Sequence, residues 1–200
     1  KLPIPWQEAS LDILSISGHK FHGPGGVGAL IIRKGLELYP LIHGGGQQNG
    51  LRSGSIDVVG ITAMTIAASQ CASRQQESLD RVTAFNAQVR QSLSTMTNRT
   101  GKPVKCRIIS PEEASPYILM VSFPGYQGAI LMRSLGASNI LIGTGSACAS
   151  ETNKPSDTLT AMGYDRETAF GAIRISFSAL TSPEDITALV AGLQQAIRHY

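Results

Sequence analysis

A lysine followed by a glycine-rich turn is the first group in this chain that could do chemistry. Lys20 closes the sequence Ser-Gly-His-Lys, follows an apolar run over residues 11–17 and precedes the glycine-rich stretch 23–28. This order places an amine at a strand end, beside backbone that can closely approach a phosphate. An amine desolvated there becomes nucleophilic toward a carbonyl group. An ordinary surface lysine is the alternative interpretation.

A cysteine among small residues is the second candidate. Cys148 lies in the stretch 143–150, whose composition predicts a loop. An accessible thiol on a loop can reach a substrate and withdraw again, whereas a buried cysteine would only fill space. We interpret Cys71 and Cys106 as small core residues. Three cysteines so far apart predict neither a disulfide framework nor a metal site.

A third candidate is Arg174, in the alternating stretch 172–177. Alternation predicts a strand with Arg174 on one face and three apolar residues on the other: Ile173, Ile175 and Phe177. A guanidinium can bind a carboxylate through two parallel hydrogen bonds, which fixes orientation as well as charge. A solvated edge position is the alternative.

The elements that must position these groups follow an α/β pattern. Strands are predicted for residues 12–17, 27–33, 104–109, 117–122, 140–142 and 172–177, and helices for 126–135, 156–162, 166–170 and a last segment capped by Ser182 and Pro183. Residues 61–100 contain neither glycine nor proline and predict a long helix, with Ser55 as its N-cap. The polar stretch 73–78 either breaks this helix or marks its passage between domains.

Composition excludes several classes of protein. The 200 residues are 42% hydrophobic and 16% charged, with a net charge of +3, as in ordinary globular proteins. Lysine and arginine are too scattered to predict direct nucleic-acid binding. No apolar run has membrane-spanning length and no targeting segment is evident, so we expect no membrane partner and a cytoplasmic location.

Taken together, the motifs resemble the cysteine desulfurases, class V aminotransferases among the fold-type I pyridoxal-phosphate (PLP) enzymes. Four segments carry the likeness: 17–24, 44–55, 145–148 and 172–176. The Gly-Ser-Ala-Cys form at 145–148 is similar to the branch with a longer cysteine loop. The resemblance implies the C-terminal part of the fold: residues 1–60 as the end of the large PLP-binding, parallel-sheet domain, 61–101 as a long connecting helix and 102–200 as a small α+β domain.

The same resemblance implies the catalytic roles. Lys20 would bind PLP covalently and move the Cα proton of L-cysteine. Cys148 would take the substrate sulfur as a persulfide and leave L-alanine. Arg174 would bind the substrate carboxylate.

Cofactor and partner contacts are implied in the same way. Ser17 and His19 would contact the PLP phosphate, and Ser55 would reach the phosphate bound by the other subunit of a homodimer. The partners would be sulfur acceptors, such as an iron–sulfur scaffold or a tRNA-thiolation protein.

Some positions depart from the family pattern. Gln48 and Asn49 stand where Glu-Arg is usual, and Ser178-Ala179 stand where Gly-Arg is usual. The family's first half, which contacts the cofactor ring, has no counterpart in this chain. We therefore expect the 200-residue chain alone to bind PLP weakly or not at all and to be inactive. Alternatives are another class V aminotransferase, a selenocysteine lyase or a non-catalytic dimerising remnant.

Overall fold

Two units divide the part of the chain that the structure, a computed structural model, describes. The described residues are 1–144 and 155–200. The first unit is Lys1–Gln75 and the second is Gln76–Tyr200. The division falls inside the segment 61–101 that the sequence predicts as a connecting helix.

The first unit contains an antiparallel strand pair. β1 (Ile13–Ser17) pairs with β2 (Gly28–Ile32), with Ser17 opposite Gly28. Both strands lie inside the predicted ranges. The apolar run of β2 predicts a strand covered on both faces, but Leu30 is 52% exposed and Ile31 is 42% exposed. Because Leu30 and Ile31 point to opposite faces of the strand, both faces of β2 are exposed at this position.

The long helical segment is two helices rather than one. α1 (Val58–Ser73) and α2 (Gln75–Leu93) are separated by Arg74, whose φ of −114° and ψ of 14° are not helical. The break falls in the polar stretch predicted as its possible site. The N-cap is Asp57, whose Oδ1 accepts a 2.9 Å hydrogen bond from the Gly60 amide, and not Ser55 as predicted.

α2 also ends earlier than the predicted residue 101. Beyond its last residue, the hydroxyl of Ser94 donates to the Gln91 carbonyl at 2.7 Å, and that of Thr95 donates to the Ser92 carbonyl at 3.0 Å. Such side-chain bonds compete for the carbonyls that a continuing helix would use. The chain then turns, and Thr97 forms a bridge with Pro103.

The second unit is built on a four-stranded antiparallel sheet. Its strands are β3 (Arg107–Ile108), β4 (Ile118–Ser122), β5 (Gly143–Thr144) and β6 (Ala172–Ser176), in the order β3-β4-β6-β5. β6 therefore lies between two neighbours, which places Arg174 away from a sheet edge. The solvated-edge alternative for this arginine is wrong.

The predicted strand at 140–142 begins later, at Gly143. The Ile140 amide donates to the Leu135 carbonyl at 3.0 Å, so Ile140 belongs to the turn that ends the preceding helix. That helix is α3 (Gly128–Gly136), and it contacts β5.

Short helices lead into β6, and a long one follows it. α4 (Asp157–Ala161) and α5 (Arg166–Phe170) precede the strand, and α6 (Pro183–His199) comes after it. The predicted start of α6 is confirmed: Ser182 Oγ accepts from the Asp185 amide, and the Asp185 carboxylate accepts from the Ser182 amide. This reciprocal arrangement is a capping box.

The core of the second unit joins α2, the sheet and α6. Its deeply buried members come from these layers and from α3: Val82, Val89, Leu93, Leu119, Val121, Phe123, Leu131, Leu135, Ile173, Ile186, Leu193 and Ile197. The apolar face predicted for β6 is confirmed, because Ile173, Ile175 and Phe177 are all buried. In the described residues no helix is both long and apolar enough to cross a membrane.

Candidate functional site

Lys20 lies on a tight turn at the end of β1. The turn is a 3-10 helix, Gly18–Phe21, that directly follows Ser17. Backbone bonds close it at both ends: the Gly18 amide donates to the Val27 carbonyl, and the Gly23 amide donates to the Gly18 carbonyl, each at 2.9 Å. The amine is thus carried by a turn whose flanking residues are held by backbone hydrogen bonds.

Two glycines allow this turn to pack closely. A Cβ at Gly18 would lie 3.0 Å from the Pro24 oxygen and 3.1 Å from the Val27 oxygen. A Cβ at Gly23 would lie 2.9 Å from the Gly18 oxygen. The distance at Gly23 is too short for a Cβ atom, and those at Gly18 would require the neighbouring backbone to move by a few tenths of an ångström, so glycine allows the close backbone approach at both positions.

The side chains around the turn are of types that bind anions and react with carbonyl groups. Ser17, His19 and Lys20 are all exposed. Within the described residues none of their side chains has a hydrogen-bond or ion-pair partner. A hydroxyl, an imidazole and an amine are therefore presented together by four consecutive residues. This donor set suits a phosphorylated carbonyl compound such as PLP, with the lysine as its covalent attachment point.

Cys71 contributes to the turn, which sequence reasoning missed. It lies on α1, is half-buried, and its thiol donates to the Phe21 carbonyl at 3.4 Å. The sequence separates the two residues by 50 positions, so no local pattern links them. Cys106, by contrast, packs against the core, and burial raises its thiol pKa to about 11.

The second glycine-rich loop is an ordered turn. Ser53 is buried and its hydroxyl donates to the Gly45 carbonyl at 2.8 Å, while the Gly54 amide donates to Gln47 Oε1 at 3.3 Å. Between these contacts Gln48 and Asn49 both have left-handed backbone conformations, with φ of 53° and 56°.

The two residues that replace the usual Glu-Arg are therefore the strained part of the loop. Ser55 follows in the segment that leads to α1 and is exposed. Its hydroxyl is therefore exposed on the protein surface and accessible to a ligand.

Arg174 is placed in the second unit by three strands. On β6 it lies opposite Met120 of β4 and Gly143 of β5. Its Nε is buried and has no hydrogen-bond partner among the described residues. A Cβ at Gly143 would lie 3.3 Å from Nη2 of Arg174, so the glycine leaves the guanidinium its space.

A buried donor without an acceptor is costly and rare in native proteins. A bound carboxylate would supply the missing acceptor of Arg174 and match the planar fork of the guanidinium. The surroundings of Arg174 therefore fit a carboxylate ligand.

The predicted residues are distributed over the two units. Ser17, His19, Lys20 and Ser55 belong to the first unit and Arg174 to the second. Cys148 lies outside the described residues, so its predicted role remains a prediction. In the described part of the chain no group of three or more His, Cys, Asp or Glu side chains is arranged to hold a metal ion.

Comparison with known proteins identifies the family of the chain. A family model described as Aminotransferase class-V matches residues 1–189. A "NifS/IcsS protein homolog" of Lactobacillus delbrueckii subsp. bulgaricus is 36% identical, over 95% of this chain and 48% of its own length. "Cysteine desulfurase IscS" of Dictyoglomus turgidum is 34% identical, over 98% of this chain and 48% of its own length.

A solved structure supports the fold. A "NIFS-LIKE PROTEIN" superimposes with a TM-score of 0.83 at 34% identity, over 98% of this chain and 48% of the other. The predicted α/β architecture, that of the fold-type I PLP enzymes, is thereby confirmed. The chain spans about half the length of the curated relatives it matches.

Proposed function

Because this chain belongs to the aminotransferase class-V family, we propose that it carries the reactive residues of a PLP-dependent cysteine desulfurase. The main observation behind the proposal is the Lys20 turn. Backbone hydrogen bonds close this turn, and the Lys20 amine is exposed beside Ser17 and His19. The relatives named as cysteine desulfurases match nearly all of the chain. The reaction would convert L-cysteine to L-alanine and pass the sulfur to an acceptor.

The residues of the first unit fit the cofactor. Lys20 would hold PLP covalently, and Ser17 and His19 would bind its phosphate. The hydroxyl of Ser55 would contact the phosphate in the other subunit of a homodimer. Bound PLP would supply an electron sink that makes the Cα proton of an attached amino acid removable.

The proton and the carboxylate would be handled by this chain's own side chains. The Lys20 amine, on a turn fixed by its backbone bonds, would take the proton from Cα and return it. Arg174 would bind the substrate carboxylate, which supplies the acceptor that its buried Nε lacks. Holding the carboxylate would fix the amino acid in one orientation.

The sulfur would leave through Cys148. Its thiolate would attack the substrate sulfur, forming an S–S bond while the substrate Cβ–S bond breaks. The electron pair of the broken bond would remain on Cβ, which takes up a proton and becomes the alanine methyl group. Cysteine sulfur is thereby oxidised to the sulfane level and Cβ is reduced, so no outside oxidant is needed. Cys148 would be left as a persulfide.

The persulfide would then serve an acceptor protein. We propose an iron–sulfur scaffold or a tRNA-thiolation protein as the acceptor, and a cytoplasmic homodimer as the working form. The name cysteine desulfurase IscS, which several relatives carry, supports the sulfur-transfer part of this proposal.

The test is release of alanine and sulfide from L-cysteine by the complete protein that contains this chain, with dithiothreitol present. We expect Lys20→Ala and Cys148→Ala each to abolish both products. Cys106→Ala is the matched cysteine control and should keep activity, because its thiol packs against the core. Sulfide release that survives Cys148→Ala would overturn the persulfide step.

The same assay separates the alternative functions. An aminotransferase or a selenocysteine lyase would depend on Lys20 and be unaffected by Cys148→Ala. A non-catalytic remnant would release no alanine at all, and a natural gene product of only this length would favour it. The 200-residue chain alone is expected to lack visible PLP absorbance. Absorbance that is removed by Lys20→Ala would contradict that expectation.

A further inference from the structure

A rigid turn lies between α2 and β3, and Asn98 determines its shape. Asn98 Oδ1 accepts from the Thr100 amide at 3.0 Å, from the Thr100 hydroxyl at 2.8 Å and from the Lys102 amide at 3.0 Å. The Asn98 amide also donates to the Lys102 carbonyl at 2.9 Å. One side chain thus satisfies three donors, and Arg99 is presented from a preformed loop.

This turn is fastened to the last helix. The Thr97 amide donates to Gln194 Oε1 at 3.2 Å, and Gln194 Nε2 donates back to the Thr97 carbonyl at 2.6 Å. One turn further along α6, Arg198 Nη2 donates to the Thr97 hydroxyl at 3.2 Å. The turn and the end of α6 therefore form one frame that carries two arginines.

The frame surrounds a cationic cleft, defined by Asn98, Arg99, Arg198 and His199. These four residues line two adjoining cavities of about 550 Å³ and about 340 Å³. No aspartate or glutamate is among the described residues that line either cavity. Within the described chain no carboxylate pairs with Arg99 or Arg198.

The cleft has an aromatic wall whose rings are already in contact with each other. The Tyr126 ring lies 4.7 Å from the Tyr200 ring and 6.4 Å from the Phe123 ring, centroid to centroid. The Tyr200 hydroxyl accepts a hydrogen bond from the Gln127 amide at 3.1 Å. Rings engaged in this way offer no open platform for stacking nucleic-acid bases.

We propose that the cationic cleft binds an acidic peptide segment of a partner protein. Two guanidinium groups in a preformed cleft favour carboxylates, which they can bind by charge-assisted hydrogen bonds. The two cavities share four lining residues and open onto the protein surface, so an extended chain can lie along both. Arginine and tyrosine are also the residue types that most often dominate protein–protein binding. This proposal does not depend on the proposed desulfurase activity.

The test measures binding of fluorescein-labelled hexaglutamate to the full chain by fluorescence anisotropy at low ionic strength. We expect Arg99→Gln and Arg198→Gln each to raise the Kd by about tenfold, since each removes one charge-assisted contact. The control is the double variant Arg133→Gln/Arg166→Gln, which removes two exposed charges from α3 and α5. It should leave the Kd within about twofold, because exposed charges away from a bound ligand are screened by solvent.

Several results would overturn the proposal. One is that hexaglutamate does not bind measurably. Another is that the control pair weakens binding as much as the Arg99 and Arg198 variants do. A third is that labelled hexathymidylate binds more tightly than hexaglutamate and that its binding depends on the same two arginines. Citrate that competes as well as hexaglutamate at equal concentration would show a small-anion site instead. Arg99→Glu guards against misfolding, because the described Arg99 side chain makes no bond that the fold could lose. That variant should abolish binding while its circular dichroism spectrum stays unchanged.

Discussion

The thiol of Cys71 donates a hydrogen bond to the carbonyl oxygen of Phe21 across 3.4 Å. This contact connects α1 to the residue that follows Lys20. Phe21 ends the 3-10 turn, and His22 beyond it has a left-handed backbone with φ of 68°. Without the Cys71 thiol, the Phe21 carbonyl would lose this hydrogen bond at the point where the chain reverses direction. Cys71 is therefore a positioning residue for the Lys20 turn.

Replacing Cys71 by alanine should loosen that turn. We expect Cys71→Ala to lower the free energy of unfolding by about 1 kcal/mol and to speed amide hydrogen exchange at Gly23. Cys71→Ser keeps a donor at the same place and is the control, with exchange close to that of the unchanged protein. Equal exchange rates at Gly23 in all three proteins would show that the thiol positions nothing.

Adding a methyl group at Gly18 should be costly. A Cβ there would lie 3.0 Å from the Pro24 oxygen, so backbone would have to shift. We expect Gly18→Ala to destabilise the protein by about 1–3 kcal/mol, as measured by urea unfolding. Gly25→Ala, on the same turn, is the control, because no atom lies within 4 Å of its added Cβ. A loss of stability that is equal in both variants would contradict the close-packing explanation.

We expect Arg174 to strengthen substrate binding and to lower the stability of the folded protein. Its buried Nε lacks a described acceptor, so Arg174→Leu removes a costly polar group and should leave the melting temperature unchanged or higher. In the complete protein the same variant should weaken L-cysteine binding by about 30-fold or more, through loss of the carboxylate contact.

Arg166→Leu serves as the control for Arg174, because that side chain is exposed on α5. Neither the melting temperature nor cysteine affinity should change much in this control. A large loss of stability in Arg174→Leu would mean that the guanidinium has a structural role.

The Cys106 thiol should give the protein a pH dependence at the alkaline end. Burial raises its pKa from 9.0 to about 11, so the folded state keeps the proton that the unfolded state loses. Its contribution to stability is fully present below pH 9 and declines as the pH rises from 9 through 11. Urea unfolding of Cys106→Ala between these pH values should show a smaller decline.

Alkylation offers an independent check on Cys106. At pH 8 iodoacetamide should modify Cys106 about 100-fold more slowly in the folded protein than in urea, because only the thiolate reacts. Peptide mass spectrometry would follow the modified fraction. Rapid labelling of Cys106 in the folded state would contradict the packing of its half-buried thiol against the core.

Local sequence signals predicted a large part of the fold. The start of α6 follows from Ser182, Pro183 and Asp185, because a capping box and an N-terminal proline act within one helical turn. The buried face of β6 follows from simple alternation. Lys20 and Arg174 also stand in recognisable motifs, so the sequence identified them as candidate site residues, and their binding roles stay predictions.

The predicted ends of helices and strands were wrong where distant contacts or competing hydrogen bonds determine them. α2 ends at Leu93 because hydroxyls of the following residues bind its carbonyls, and β5 starts late because Ile140 completes the turn after α3. Glycine and proline mark only some helix ends. Side-chain competition of this kind depends on the rotamers adopted in the folded chain.

The sequence by itself determined which side chains are present and which local elements carry them. Only the tertiary structure decided that Cys71 bonds to Phe21, that the Nε of Arg174 is buried without a described acceptor and that Arg99 and Arg198 share one cleft. Each of these facts joins segments that are far apart in the chain. Helical and strand periodicity reports only which face of an element is apolar, whereas such contacts depend on how whole elements pack.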